Sequence, residues 1–293
     1  MIKAYILPPD VPSWAVTRVM DALTRHAPRD MEFVSDMGEA QLVILNVIGR
    51  RDKMLRMAKW IVGSGRQYAI VQYVLRGTLK PSTGDWLPLW GSAKVVWSQL
   101  DLASAMRQDG VSLSNWQFYH RPFGVDAQVF RCENLPRDNI IFTSGVSTNA
   151  ECVKEAVEAA RRSGKTMIHV GKILSSLGEH VRSYKNIDDT TMARLYNTCE
   201  FVAGLRRGEG FELCAAEGLI CGCRPIMFDR FHYRCWFSKW ARFIPENFRP
   251  ETTDSLEALF RQGAEPVSVE ERNEAMALFN WESIIGGFWQ RCL

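Results

Sequence analysis

The stretch RRGEGFELCAAEGLICGCRPI, residues 206–226, decides how the rest of the chain is interpreted. Glu209 lies between two glycines, which let the backbone turn tightly at that point. An apolar, alanine-rich run follows and stops at Gly222, so we predict a helix over residues 212–221. The apolar segment EFVAGL (200–205) precedes the turn and is typical of a buried strand. The helix is therefore predicted to begin at the carboxyl end of a strand, where open α/β sheets bind their ligands.

The start of this predicted helix has the properties of an anion site. Backbone N–H groups in a first helical turn have no partner within the helix, and the helix dipole favours negative charge there. Arg206 and Arg207 add positive charge at the same place. A carboxylate such as Glu209 is costly beside an anion unless it binds hydroxyl groups or stabilises a developing positive charge. A ligand that is both anionic and rich in hydroxyl groups, such as a nucleotide sugar, satisfies both requirements.

The alternative interpretation of the two glutamates is structural. Glu209 is then a loop carboxylate, and Glu217, one to two turns along the helix, is an exposed helix residue. Taken residue by residue, the pattern of charges does not separate the two interpretations.

The rest of the chain alternates between apolar strands and amphipathic helices. Ser13 precedes a segment with Val16, Val19 and Leu23 on one helical face. A polar, turn-rich join lies within residues 123–139, after which the alternation restarts. Strands that alternate with helices predict parallel sheets with crossover helices, and so an α/β protein with two halves. The predicted strands are residues 4–7, 41–48, 69–75 and 93–98 in the first half and 139–145, 166–172, 200–205 and 224–229 in the second.

Composition places the chain among ordinary globular proteins, because 46% of its residues are hydrophobic and 24% are charged. No apolar run reaches the ~18 residues of a membrane span, and the N-terminal segment is predicted to be a strand and not a signal peptide. Eight scattered cysteines favour reduced thiols and a cytoplasmic location. Cys221, Cys223, His232 and Cys235 have the wrong spacing for common zinc sites, so no metal is predicted.

The net charge of +3 is unevenly distributed. Residues 1–130 contain 15 Lys/Arg and 11 Asp/Glu, a net charge of +4, whereas residues 131–293 contain 21 and 22, a net charge of −1. Six bases fall within residues 50–66, with Asp52 as the one acid. A solvated helix face is the default interpretation of such a run, and a surface for a polyanion is the alternative.

The segment EGFELCAAEGLICGCRPI (209–226) resembles the E-x7-E signature of retaining glycosyltransferases of the GT-B fold, in particular glycosyltransferase family 4. Gly222 and Pro225 fall in register with the family pattern. RPFGVDAQVF (121–130) is similar to the Gly-Val-Asp-x-x-x-Phe element that precedes the second domain of the family. IIFTSG, IHVG and DDTTMARLYNTCEFVAGL resemble the elements that lead to the signature. The resemblance covers approximately residues 120–230.

The resemblance implies a GT-B fold, in which two Rossmann-like domains carry parallel sheets that face each other across a cleft. It implies an acceptor-binding domain over residues 1–128 and a nucleotide-sugar-binding domain over 132–278. The final helix, within residues 279–293, is expected to cross back to the first domain. The implied activity is transfer of a sugar from a nucleotide sugar to a hydroxyl group, with retention of the anomeric configuration. We expect glucose as the sugar and a UDP-sugar as the donor. The nucleotide sugar is then a substrate, and no cofactor is expected.

The resemblance also implies a role for each residue that matches the signature. Glu209 would contact the donor sugar near its reacting carbon and is the candidate catalytic residue. Glu217 would bind the ribose hydroxyls, and Lys172 would neutralise a phosphate. The remaining candidates for donor binding are Arg206, Arg207 and the segment Gly210, Phe211, Glu212 and Leu213.

The sequence departs from the family pattern at several positions. Residues 145–150, after the first strand of the second domain, contain no base, so residues 206–207 are expected to supply the positive charge. Glu212 stands where the family has glycine, and Gln72 stands where many relatives have histidine. The segment LPPDVPSW (7–14) contains no glycine-rich loop. A relative that binds a nucleotide sugar without catalysis is therefore the second hypothesis.

The basic N-terminal half is where the resemblance places the acceptor. One candidate is DNA with hydroxymethylated pyrimidines, as in phage enzymes that resemble this fold, with affinity from phosphate contacts and a flipped base. Another is an anionic lipid or a cell-surface glycan, although the first helix carries few bases. The candidate acceptor contacts are Arg50, Arg51 and Lys53, because they follow the strand at 41–48 whose carboxyl end should face the cleft.

Overall fold

The computed structural model describes residues 1–8, 14–47, 51–73, 83–108, 117–137, 139–174, 176–207 and 210–293. The elements of the first half are β1 (Ile2–Ile6), α1 (Trp14–Arg25), β2 (Met31–Phe33), β3 (Leu42–Val47), α2 (Arg51–Gly63), β4 (Gln67–Gln72), α3 (Thr83–Ser92), β5 (Val96–Ser98), α4 (Leu102–Gln108) and β6 (Phe118–His120).

The second half begins with β7 (Ile140–Val146), α5 (Val153–Arg162), β8 (Thr166–Lys172), β9 (Val181–Tyr184), α6 (Asp189–Thr198) and β10 (Phe201–Gly204). It continues with α7 (Leu213–Ile220), β11 (Arg224–Phe228), α8 (Phe231–Phe237), β12 (Arg242–Ile244), α9 (Glu251–Gln262), α10 (Val269–Leu278) and α11 (Trp281–Cys292).

Two separate six-stranded sheets organise the described part of the chain. The first has the order β2-β1-β3-β4-β5-β6, and the second has the order β12-β11-β10-β7-β8-β9. All neighbouring strands in both sheets are parallel. Each sheet thus has the Rossmann-like arrangement that the alternation of strands and helices predicts, and the α/β fold class is confirmed.

The chain divides into two compact units. One contains residues 1–123 together with 281–293, and the other contains residues 124–280. In the first unit, α11 packs on the helix α1, where the indole Nε1 of Trp289 donates a hydrogen bond to the carbonyl of Leu23 at 3.1 Å. In the second unit, the amide of Val125 donates to the carbonyl of Phe279 at 2.8 Å.

The hydrophobic pattern accounts for the central elements of each sheet. Every residue of β3 is buried, as expected for a strand that helices cover on both faces. The predicted face of α1 is buried at Val16, Val19 and Leu23. Helix α5 ends just before Gly164, whose φ of +70° suits a residue without a side chain.

Short edge strands escaped the sequence analysis. The strands β2, β6 and β12 have three residues each, and β9 has four, mostly of intermediate burial. Such segments carry no long apolar run, so only pairing with a formed neighbour identifies them. Within the described residues, no helix combines the length and the hydropathy that crossing a bilayer requires.

Candidate functional site

Helix α7 is the next helix after β10 in the chain, so its amino end lies at the carboxyl edge of the second sheet. Glu212 is the N-cap residue, with φ −107° and ψ 93°, and its side chain makes no capping hydrogen bond. The amides of Ala215 and Ala216 donate to the carbonyl of Glu212 at 3.1 and 3.2 Å. The amides of Leu213 and Cys214 precede these donors and have no acceptor within the helix. The helix therefore presents the N–H groups and the dipole end that an anion requires.

Arg206, which follows β10, forms ion pairs with two carboxylates of the described residues. Its Nε lies 2.5 Å from Oε2 of Glu151 and 3.7 Å from Oε2 of Glu212. Glu151 belongs to the loop between β7 and α5, so the pair connects the ends of two neighbouring strands. A Cβ at Gly145, near the end of β7, would lie 2.6 Å from Oε2 of Glu151 and 3.0 Å from Nη2 of Arg206. The guanidinium is thus seated directly against the end of β7.

The Glu212 carboxylate is completely buried. The hydroxyl of Tyr233 on α8 donates to its Oε1 at 3.3 Å, and the thiol of Cys214 donates to its Oε2 at 3.5 Å. Burial, together with the smaller effect of the Glu212 charge, raises the pKa of Cys214 to about 12, so the thiol keeps its proton. Among the described residues, Glu212 therefore has Tyr233, Cys214 and Arg206 as partners, which offset the cost of burying its charge.

Glu217 also lies within the fold. Its side chain has no exposed surface, and the hydroxyl of Tyr196 on α6 donates to its Oε2 at 3.2 Å. The Tyr196 ring is held against Phe142 of β7, with ring centroids 4.3 Å apart. The interpretation of Glu217 as an exposed helix residue is wrong. A contact between this carboxylate and a ribose requires that the groups covering it move aside.

The two arginines of the quoted stretch lie in different surroundings. Arg207 Nη2 donates to the carbonyl of Asn247 at 2.6 Å, and Nη1 lies 3.4 Å from Oε1 of Glu246. Its guanidinium also lies over the ring of Phe228, 4.9 Å from the centroid. These contacts hold Arg207 towards β11 and β12, whereas Arg206 lies towards β7. Lys172 is exposed at the end of β8, in register with Val146 of β7.

A buried histidine lies beside this cluster. His169 on β8 is fully buried, and its Nδ1 lies 3.0 Å from Oγ1 of Thr143 on β7. Its Nε2 has no hydrogen-bond partner among the described residues. Burial lowers the pKa of His169 to about 4, and the nearby charge of Arg206 also lowers it, against an opposing effect of the Gly145 backbone. The imidazole is therefore neutral at neutral pH.

The sequence analysis identified neither His169 nor the partners Glu151, Tyr196 and Tyr233. Glu151 follows a predicted strand by a few residues, and this position is the one signal that pointed to it. A histidine or tyrosine within an apolar segment gives no comparable signal.

Several predicted site residues lie outside what the structure describes. Glu209 and Arg50 are among them, and for Arg51 and Lys53 only the backbone, in the first turn of α2, is described. Arg66 comes after α2 and immediately before β4, so it lies at the amino edge of the first sheet. The basic segment 50–66 therefore spans the length of a helix, and only its first turn lies at the carboxyl edge.

The four residues weighed as a zinc site do not form one. The thiol of Cys223 donates to the carbonyl of Tyr196 at 3.0 Å, while Cys235 is exposed. Across the described part of the chain, no group of three or more histidine, cysteine or acidic side chains could hold a metal ion.

Comparison with solved structures supports the observed fold. No protein-family model matches the sequence, and a search of curated proteins gives no match. Among solved structures, a sucrose-phosphate synthase from Thermosynechococcus elongatus has a TM-score of 0.72 at 15% identity, with 98% of this chain and 97% of that chain covered. Anabaena HepE in complex with UDP and glucose has a TM-score of 0.71 at 12% identity, with 99% and 98% covered.

A third similar structure is trehalose-6-phosphate from E. coli bound with UDP-2-fluoro glucose, with a TM-score of 0.62 at 9% identity and 95% and 77% covered. At these identities the likeness concerns the fold, which is GT-B, with two Rossmann-like domains. The functional assignments of Glu209, Glu217, Lys172 and the other site residues stay predictions.

Proposed function

We propose that the protein is a glycosyltransferase that takes its sugar from a UDP-sugar. One observation carries the proposal: Arg206 is held beside the amino end of α7 at the carboxyl edge of the second sheet. A helix amino end and a guanidinium together suit a diphosphate. Two solved structures of similar fold contain UDP with glucose and UDP-2-fluoro glucose, which favours a UDP-sugar among anions.

We assign donor roles in accordance with this geometry. The amides at the start of α7 bind the diphosphate together with Arg206, and Lys172 supplies a second positive charge from the end of β8. Glu217 binds the ribose hydroxyls once its covering groups have moved. Glu209 contacts the sugar, and it stabilises positive charge that develops at the anomeric carbon. The remaining donor contacts in this proposal are Arg207 and the backbone amides of Gly210, Phe211, Glu212 and Leu213.

The proposed reaction is transfer of a hexose, with glucose as our choice, with retention of the anomeric configuration. The bond between the anomeric carbon and the diphosphate oxygen breaks, and the acceptor oxygen bonds to that carbon on the same face. The acceptor proton passes to an oxygen of the departing diphosphate. The protein contributes electrostatic stabilisation of the leaving group and of the cationic sugar, together with positioning.

The donor is tested by thermal unfolding with UDP, UDP-glucose and UDP-N-acetylglucosamine. A ligand at a hundredfold excess over its Kd stabilises the folded state by ~2.7 kcal/mol, which raises the Tm. Slow release of free glucose from UDP-glucose, detected by mass, would then establish catalysis. An unchanged Tm with all three ligands contradicts the proposal, and binding without hydrolysis or transfer supports a binding protein instead.

For the acceptor we propose a 5-hydroxymethylpyrimidine in DNA. The net charge of +4 in residues 1–130 and the bases Arg50, Arg51 and Lys53 support this choice. Incubation of the enzyme and UDP-glucose with unmodified and hydroxymethylated DNA, followed by mass analysis of the nucleosides, tests it. Transfer to a glycan or a lipid in place of DNA overturns it.

A further inference from the structure

The carboxylates around Arg206 pose an electrostatic problem for the proposed donor site. Arg206, Glu151 and Glu212 have a formal charge that sums to −1, and a diphosphate would add further negative charge. Two carboxylates close to an anion site disfavour binding unless they act on the cation that meets the anion. Their geometry therefore decides whether they oppose the donor or prepare its site.

The cation is the most accessible of the three groups. The exposed fraction of the side chain is 24% for Arg206, 18% for Glu151 and 0% for Glu212. In both ion pairs the nearest atom of the guanidinium is Nε, so the carboxylates approach the side chain from its Nε edge. Glu212 is shielded further by the Tyr233 hydroxyl and the Cys214 thiol. Of the three side chains, Arg206 thus presents the largest exposed fraction to an incoming anion.

The absence of a side chain at Gly145 of β7 leaves room for Glu151 and Arg206. Gly145 has a φ of +112°, a conformation that side chains rarely adopt, and a Cβ there would collide with Glu151 and crowd Arg206. The carbonyl of Arg206 lies 3.1 Å from the Tyr233 hydroxyl, whose single proton it shares with Oε1 of Glu212. Arg206 follows β10 in the chain, and its guanidinium is therefore held over the end of the neighbouring strand β7.

A contribution to stability alone does not account well for the buried carboxylate of Glu212. A buried ion pair is on average no more stabilising than apolar residues of the same volume, because both charges lose their hydration. What a fully buried carboxylate adds is a defined position for its partner. Long arginine side chains lose substantial rotamer entropy when a ligand immobilises them, and prior fixation removes that cost from binding.

We propose that Glu212 and Glu151 are positioning residues that fix Arg206 over the end of β7 for the donor diphosphate. This inference rests on the proposed function, and it extends that function by assigning a role to two carboxylates. It predicts that loss of either carboxylate weakens binding of UDP most, of UMP less, and of uridine least. Uridine, which has no phosphate, is then the internal reference for UDP.

The experiment is isothermal titration calorimetry of the full chain with UDP, UMP and uridine. The variants are Arg206→Gln, Glu151→Gln and Glu212→Gln, and the matched control is Glu158→Gln, a partly exposed glutamate of α5 that pairs with Arg161 and Arg162. We expect Glu151→Gln and Glu212→Gln to weaken UDP binding at least tenfold, with less than a twofold change for uridine. Glu158→Gln should match the wild type with all three ligands.

Coupling to Arg206 separates positioning from simple stabilisation. The double variant Arg206→Gln, Glu212→Gln should bind UDP no more weakly than Arg206→Gln alone, because there is no guanidinium left to position. If Glu212→Gln does not fold, Glu151→Gln, at a partly exposed side chain, provides the same test.

Three results would overturn the inference: UDP affinities unchanged in the carboxylate variants, equal losses for UDP and uridine, or additive losses in the double variant. A wild-type protein that binds neither UDP nor UDP-glucose has a different meaning. It overturns the proposed function, and the positioning role that rests on it falls at the same time.

Discussion

The hydroxyl of Tyr196 on α6 donates a hydrogen bond to Oε2 of Glu217 on α7 across 3.2 Å, inside the second unit. Both side chains are fully buried. The second glutamate of the quoted stretch is therefore anchored to the fold before any ligand arrives, and its mutation affects stability and donor binding together.

Replacement of Glu217 by alanine should weaken UDP binding by roughly 2–4 kcal/mol, because two hydrogen bonds from ribose to a charged acceptor are lost. Calorimetric titration with UDP measures this. Tyr196→Phe is the matched control, since it removes the neighbouring hydroxyl and leaves the carboxylate. A Tyr196→Phe protein as impaired in UDP binding as Glu217→Ala would attribute the loss to the buried contact and not to ribose.

Replacement of Glu209 by alanine should lower turnover far more than it lowers affinity for UDP. The proposed partner of Glu209 is the sugar, which is absent from UDP and gains positive charge in the transition state. Single-turnover rates with UDP-glucose and titration with UDP give the two quantities. Equal losses in both would place Glu209 among groups that only bind the nucleotide.

Replacement of Gly218 by alanine should destabilise the second unit by about 1–3 kcal/mol through overpacking. A Cβ at Gly218 of α7 would lie 2.7 Å from Cγ1 of Val202 on β10, and Val202 is fully buried. Urea unfolding of Gly218→Ala, Val202→Ala and the double variant measures the coupling. The double variant should lose less stability than the sum of the single losses, whereas additive losses would show that helix and strand do not clash.

The stability of the protein should decrease on acidification, because the buried imidazole of His169 excludes a proton. Its pKa falls from 6.5 to about 4 on burial, so below pH 6.5 the unfolded chain binds a proton that the folded chain excludes. The stability is fully present above pH 6.5 and declines by about 3 kcal/mol on acidification to pH 4, at ~1.4 kcal/mol per pH unit.

Urea unfolding of the wild type and of His169→Gln across this pH range isolates the contribution. As the pH falls, the unfolding free energy of the wild type should decrease more than that of His169→Gln. A constant difference from pH 7 to pH 4 would mean that His169 titrates alike in the folded and unfolded states.

Replacement of Arg50, Arg51 and Lys53 by glutamine should flatten the salt dependence of DNA binding. Each lost phosphate contact reduces the slope of log K against log salt by about 0.9. The matched control is the triple variant of Arg56, Lys59 and Arg66, which lie further along α2 or beyond it. Affinities at several salt concentrations measure the slopes. Equal slopes in the wild type and the first variant would remove these bases from the acceptor site.

Sequence patterns proved most informative where apolar runs are long. The runs that became β3, β7 and β8 predicted two α/β halves, and the glycine stop after residue 221 predicted the end of α7. The same patterns said little about short edge strands such as β12, whose three residues acquire their conformation by pairing with β11. They also suggested one basic surface over residues 50–66. In the structure, the described part of this segment runs along α2, from the carboxyl ends of the strands of the first sheet to their amino ends.

By itself, the sequence determined the alternation of strands and helices, the start of α7 after β10, and the residues gathered around that turn. Only the tertiary structure decided which side chains meet there. Periodicity shows which face of an element is buried, but not which strand becomes its neighbour. Arg206 reaches Glu151 because β10 pairs with β7, an earlier strand of the chain, and not with β9. That order is set by the packing of all the crossover helices at once, which no local segment encodes.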